Sequence, residues 1–286
     1  MSAFRTDLAD EAAGRIAGER IPGLETSEEI RGGFLFSRVR VKNEEAARKL
    51  GKPVGRYLTF TLKKGYKNEE GGFEAACGLL KDGFGEFLPS GGSALVAGLG
   101  NRFITSDAVG PGVLRHVMAT RHLADTLPEY FSSLRRVAAV TPGVLGITGI
   151  ESATLIQGVV REIRPDFLVV IDALAAGSAE RLLTTVQITD TGLVPGGGVG
   201  NAREGLTREK LGIPVIAVGI PTVIYASSLL PEGAASPADP SPFGDLVVTP
   251  REIDEAVEEL SRLVGYALDL ALHPGMTLSD VAAFLS

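Results

Sequence analysis

Short apolar runs and amphipathic stripes alternate along this chain. The most apolar run, residues 167–171, is unbroken and rich in β-branched side chains, the composition of a strand covered on both faces. It ends on a carboxylate, Asp172. Residues 93–99 have the same form and lead into a Gly/Asn loop and then Asp107. Residues 34–41, 57–62, 136–140, 184–188 and 214–220 also read as strands, with Leu58, Phe60 and Leu62 alternating in the second. Residues 173–182 read as irregular chain or a helical turn.

Helical stripes fall between the strands. Residues 43–50 form a short helix with Asn43 as its N-cap. Residues 69–80 place Phe73, Ala76, Cys77 and Leu80 on one face. Pro111 suits the first turn of a helix whose buried stripe is Val113, Leu114, Val117 and Met118. Leu155, Ile156, Val159, Val160 and Ile163 mark another helix, stopped by Pro165. The last long helix shows Ile253, Val257, Leu260, Val264 and Leu268, and Thr249-Pro-Arg-Glu252 ahead of it reads as a capping box. Residues 1–31 are polar, with weak helical character at 7–16. Four prolines at 231–245 indicate a mobile surface loop. No repeat and no domain boundary stands out. The pattern predicts one three-layer α/β/α domain over 1–286, built on a mainly parallel or mixed sheet.

Composition narrows the classes. A net charge of −7 without a basic stripe argues against a nucleic-acid-binding face. One cysteine, Cys77, excludes an intramolecular disulfide and fits a reducing cytoplasmic setting. On a helix face with nothing beside it to lower its pKa, Cys77 reads as a small core residue. No apolar run approaches the roughly 20 residues of a membrane span, and no signal-peptide core is present.

The candidate chemistry lies at the strand ends. In open α/β sheets, ligands bind beyond the carboxyl ends of the strands. Asp107 and Asp172, each following such a strand, can meet there and divide acid and base roles in peptide hydrolysis. Each also has a plain structural reading, Asp107 as a helix N-cap and Asp172 as a loop hydrogen-bond acceptor. Asp190-Thr-Gly192 is the triplet of pepsin-like proteases, but those are all-β and carry two copies, so a tight turn fits better here. Gly196 to Gly200 lacks the Lys-Ser/Thr ending of a phosphate loop. No nucleophile elbow and no Cys/His cluster is present, and His116 and His122, six positions apart, do not share a helix face.

Several longer motifs occur together and in order: Arg5-Thr-Asp-Leu-Ala9, Gly98-Leu-Gly-Asn101, Thr105-Ser-Asp-Ala-Val-Gly-Pro111, Thr141-Pro-Gly-Val-Leu-Gly-Ile-Thr-Gly-Ile-Glu151, Ile171-Asp-Ala-Leu-Ala-Ala176, Gln187-Ile-Thr-Asp-Thr-Gly192, Gly198-Val-Gly-Asn201 and Pro221-Thr-Val223. Together they resemble the germination protease (spore protease) family over nearly the whole chain. The resemblance implies an endopeptidase of spore-forming bacteria that degrades small acid-soluble spore proteins during germination. It implies a homotetramer in the cytoplasm of the spore core, no cofactor, and a fold like the hydrogenase maturation endopeptidases (phosphorylase/hydrolase-like). It also implies an atypical aspartic peptidase whose two aspartates match Asp107 and Asp172. Asn101, Thr105, Glu151, Asp190 and Asn201 lie in the same motifs as substrate-binding or supporting residues. No metal ligand, nucleic acid or membrane partner is expected.

Departures from the family pattern qualify this. Family members carry a self-cleaved propeptide ahead of the Arg-Thr-Asp-Leu-Ala motif, and only Met1 to Phe4 precede it here. The chain is therefore expected to begin near the mature end, or to lack or vary the zymogen control. Gly177 stands where the family has arginine, and Tyr225 where it has aspartate. Two other readings remain open: a metal-assisted peptidase like the hydrogenase maturation enzymes, and a non-catalytic peptide binder on the same fold.

Overall fold

The computed structural model describes residues 5–193, 205–229 and 246–286. The first half of the chain contains α1 (Ala9–Arg15), β1 (Leu24–Arg31), β2 (Phe34–Val41), α2 (Glu44–Leu50), β3 (Gly55–Thr61), α3 (Gly72–Gly85), β4 (Ala94–Gly98), α4 (Val109–Leu114), α5 (Arg121–Thr126), α6 (Pro128–Phe131) and β5 (Val137–Val140). The second half adds α7 (Leu145–Thr148), α8 (Ser152–Ile163), β6 (Phe167–Ala176), β7 (Thr185–Thr189), α9 (Arg208–Leu211), β8 (Val215–Tyr225), β9 (Val247–Val248), α10 (Ile253–Leu272) and α11 (Leu278–Leu285).

Among the described residues the strands form one nine-stranded sheet in the order β1-β2-β3-β7-β8-β6-β4-β5, with β9 added on β8. The β8-β6-β4-β5 half is parallel, and β1, β2, β3 and β7 join it through antiparallel pairs. The sheet is mixed, one of the two forms that the sequence pattern leaves open. After β4 the chain moves out to β5, then returns through α8 to β6 on the other flank of β4. Strand order reverses between β4 and β6, so the connections leaving their carboxyl ends diverge and open a crevice.

Alternation along β6 shows both faces covered. Phe167, Val169 and Ile171 pack with residues of α3, α4 and α10, while Leu168 and Val170 pack against Ala153, Ile156 and Val160 of α8. On that second face, α1 and α2 cover the antiparallel end through Val39, Val41 and Tyr57. Each apolar side chain fully buried in this way contributes about 1.5–3 kcal/mol. Cys77 is buried in the same core, and burial pushes its thiol up to about 12. The arrangement is the three-layer α/β/α sandwich. Among the described residues no helix is long and apolar enough to cross a membrane.

Local outcomes differ from the pattern in four places. β1 was hidden within the polar 1–31 stretch. It is an edge strand with mostly exposed side chains, so it lacks the apolar alternation that marks a half-buried strand. β6 and β8 do not stop at Ile171 and Ile220; they keep pairing with each other as far as Ala176 and Ile224. Asp172 therefore sits within a strand rather than at its last residue. α4 ends at Leu114, and Val117 and Met118 are buried beyond it. Finally, α10 begins at Ile253 without a side-chain cap, because the Thr249 hydroxyl donates instead to Thr222 O at 2.8 Å. The loop at 231–245 lies outside the described residues.

His273, at the end of α10, gives a pH prediction. It is fully buried, and the Arg135 N–H donates to its Nδ1 at 3.2 Å. Burial, then the Arg135 charge, pushes its pKa from 6.5 to about 4. The unfolded chain therefore binds this proton first as pH falls. The fold is destabilised between pH 6.5 and about 4, by on the order of 3 kcal/mol at the acid end. Buried Asp269, whose carboxyl desolvation raises, acts in the opposite sense, weakening the fold as pH rises. His273→Asn keeps an acceptor for Arg135 and removes the titration. Its melting temperature should change less between pH 6.5 and 4 than the parent's; equal slopes would assign the acid sensitivity elsewhere.

Candidate active site

Asp172 is almost fully buried, with 8% of its surface exposed. Ile171 aligns with Gly98, the last residue of β4, so Asp172 lies one step past the end of that neighbour. On its other flank it pairs with Gly219 of β8. A Cβ at Gly219 would come within 2.2 Å of Leu174 Cδ1, so the bare backbone there gives Leu174 room beside the aspartate. The Ala173 N–H donates to Asp172 Oδ1 at 2.9 Å.

Asp107 ends a 3-10 turn, Thr105–Asp107, on the connection that leaves β4. It does not cap α4, whose N-cap is Ala108; its Oδ2 accepts the Asn101 N–H at 2.9 Å. This folding-back requires Gly100, which has φ +109° and where a Cβ would lie 2.0 Å from Asp107 O. Gly110 brings the first turn of α4 against both strands. A Cβ there would lie 2.1 Å from Leu99 O and 2.7 Å from Ile171 O, the carbonyl just before Asp172. Two glycine contacts thus press the Asp107 turn onto the strand that carries Asp172.

Both aspartates line one cleft of about 690 Å³. It lies on the sheet face between the α1/α2 cover and α8, where Gln187 and Thr189 of β7, and Thr222 and Val223 of β8, form part of its wall. The segment before α1 closes one side. Asp7 N–H donates to Ala175 O at 2.9 Å, the Ala175 N–H returns to Asp7 Oδ2 at 2.8 Å, and the Ala9 N–H donates to Gln187 Oε1 at 2.7 Å. Lys52 is the one basic side chain among the described lining residues. Its Nζ donates to Thr6 O at 2.9 Å, and desolvation holds its pKa below the ordinary lysine value against the pull of Asp7 and Glu11. Burial pushes the Tyr57 hydroxyl, also in the wall, up to about 12.

The remaining expected site residues divide. Asn101 lines the cleft and holds Asp107 through its backbone. Thr105 lies behind the wall, its hydroxyl donating to Asp254 Oδ1 at 2.7 Å, and so braces the turn against α10. Glu151 precedes α8 and is not among the lining residues. Asp190 is held by Arg56, accepting its N–H at 2.8 Å and its Nε at 2.7 Å, while Thr189 and Thr191 beside it line the cleft. Asn201 lies outside the described residues. Of the two departures, the Gly177 N–H donates to Glu11 Oε2 at 2.7 Å, and the Tyr225 ring stacks under the Arg5 guanidinium at 5.1 Å. Among the described residues, no group of three or more His, Cys, Asp or Glu could hold a metal ion.

Asp7, Lys52, Gln187 and Thr222 were not singled out from sequence. Asp7, Gln187 and Thr222 lie within the ordered motifs, which are the available signal; Lys52 carries no signal beyond a lone lysine before proline.

Comparison with known proteins decides the family. A family model described as germination protease matches residues 5–234. The chain belongs to the germination protease family. A germination protease from Clostridium perfringens is 38% identical over 99% of both chains. One from Caldanaerobacter subterraneus is 37% identical over 99% of this chain and 98% of its own. One from Bacillus velezensis is 41% identical over 79% of this chain and 64% of its own. Among solved structures, a NiFe hydrogenase maturation protease, HycI, from Thermococcus kodakarensis matches 66% of this chain and 98% of its own, at 20% identity and a TM-score of 0.36. Membership of the germination protease family makes the protein a peptidase of spore germination.

Proposed function

We propose that this chain is an endopeptidase that hydrolyses small acid-soluble spore proteins, with Asp107 and Asp172 activating the attacking water. The observation that carries this reading is the placement of both carboxylates on one cleft at the point where strand order reverses. Peptide hydrolysis needs a base to take a proton from water and an acid to protonate the departing amine. One aspartate supplies each role, so a turnover leaves the pair's proton on the other carboxylate, and proton exchange with solvent restores the starting state. The cleft, about 690 Å³, falls within the size range of ligand-binding pockets. Family membership supports the germination setting; a spore-core location and assembly as a homotetramer belong to the same proposal, and so does zymogen control, which this chain keeps, lacks or varies.

The test is direct. Purified protein is incubated with a purified small acid-soluble spore protein, with and without exhaustive chelation, and the products are read by mass spectrometry. Discrete fragments at equal rates under both conditions are expected. Activity lost to the chelator and restored by a divalent metal would favour the metal-assisted reading. Binding without any cleavage would favour a non-catalytic role.

A further inference from the structure

We propose that Thr222 is a positioning residue that sets the Asp107 turn against the strand carrying Asp172; this rests on the two-aspartate reading. The strand geometry supplies the first argument. β6 and β8 pair in register down to Leu174 opposite Pro221, and the next pair is Ala175 opposite Val223. Thr222 is therefore the extra residue of a β-bulge. Bulges beside functional sites re-aim a side chain that a regular strand would point elsewhere. Pro221 fits the interruption, since it has no N–H to give to the ladder.

The side-chain contacts supply the second. Thr222 is fully buried, yet it lines the cleft. Its hydroxyl donates to Ser106 O at 2.6 Å, and Ser106 immediately precedes Asp107. Its own carbonyl accepts the Thr249 hydroxyl at 2.8 Å, which ties the same point to the segment leading into α10. The turn is thus held from two sides, by Thr222 on β8 and by the Thr105 bond to Asp254 on α10. β8 is the direct hydrogen-bonded neighbour of β6 and pairs with Asp172 at Gly219. A single strand therefore references both aspartates, and the bulge is what turns the hydroxyl towards the second of them.

A hydroxyl that only fills space can be replaced by a methyl group, whereas one that fixes a reacting group cannot. Thr222→Val keeps the shape and removes the donor. Thr222→Ser keeps the donor and removes a methyl. With a purified small acid-soluble spore protein as substrate, Thr222→Val should lower kcat by on the order of 10- to 100-fold, the penalty for a displaced reacting group. KM should stay within about twofold, and a limb of the pH–rate profile should move. Thr222→Ser should recover most of kcat and the parental pH profile. If Thr222→Val does not fold, Thr222→Cys replaces it, and its weak S–H donor should give a lower kcat than serine.

A parental kcat in Thr222→Val overturns the inference. So does equal impairment of the Val and Ser variants with melting temperature falling in step, which is the signature of a purely structural role. The two levels separate cleanly. Activity retained by both Asp107→Asn and Asp172→Asn defeats the two-aspartate reading itself. Loss of activity in those variants with full activity in Thr222→Val defeats only the role given to Thr222.

Discussion

Asp107→Asn and Asp172→Asn should each slow cleavage of a small acid-soluble spore protein by on the order of 10²- to 10⁴-fold, the usual worth of a general acid or base. Asparagine has nearly the same shape as aspartate. Its carbonyl oxygen can still accept the Asn101 N–H at position 107 or the Ala173 N–H at position 172. What it cannot do is take up and return a proton. Thermal unfolding should therefore stay within about 2–4 °C of the parent, the span of a 1 kcal/mol change. KM should change little, because the loss falls on the transition state. The double variant should be hardly worse than either single one, since two groups that act as a unit are not additive. If both single variants cleave at the parental rate, the assignment of the pair is wrong.

Gly110→Ala should be a severely damaging small substitution near the site. The added methyl would meet Leu99 O at 2.1 Å, Leu99 N at 2.6 Å and Ile171 O at 2.7 Å, all backbone atoms, of β6 and of the residue that follows β4. No side chain can rotate away to make room, so α4 must move. Overpacking of this kind costs about 1–3 kcal/mol, and a contact with rigid backbone belongs at or above the top of that range. Because α4 follows the Asp107 turn directly, activity per folded molecule should also fall. Gly158→Ala is the control. It lies inside α8 with nothing within 4 Å of the added Cβ, and alanine should raise stability by about 0.5–1 kcal/mol. Denaturant unfolding of the two variants, with activity normalised to folded protein, checks both. Similar small effects would mean that the α4 contact is not what places Asp107.

The candidate site was only partly legible in the sequence. Asp107 and Asp172 were visible because each follows an apolar run, and the strand ends that such runs suggest in α/β sheets follow a general rule. The alternating pattern also indicated the layers, and left the sheet as mainly parallel or mixed. Other features depend on contacts that no local pattern carries. β1 has polar residues on both faces because it is an edge, so pairing with β2 specifies it rather than burial. Thr249 looked like a cap from its spacing to Glu252, but a carbonyl on β8 takes its hydroxyl. Lys52 joins the cleft only because the turn after α2 reaches the segment before α1, and its partner there is a backbone carbonyl, which leaves no trace in residue type. Asp190 is the reverse case. It carries a conspicuous motif and lies close by, yet Arg56 holds its carboxylate.

The pairing of Asp7 with Ala175 has a consequence for the order of events during synthesis. The bond joins residues 168 positions apart, and the Gln187 contact with Ala9 spans 178. The wall they form is thus made from the earliest and some of the later parts of the chain, and β8 follows later still. At roughly 5–20 residues per second, the ribosome releases this strand tens of seconds after Asp7. For the latter half of that interval the nascent chain holds Asp107 but no finished cleft around it. The capacity to cut is therefore assembled late, after most of the chain has left the ribosome.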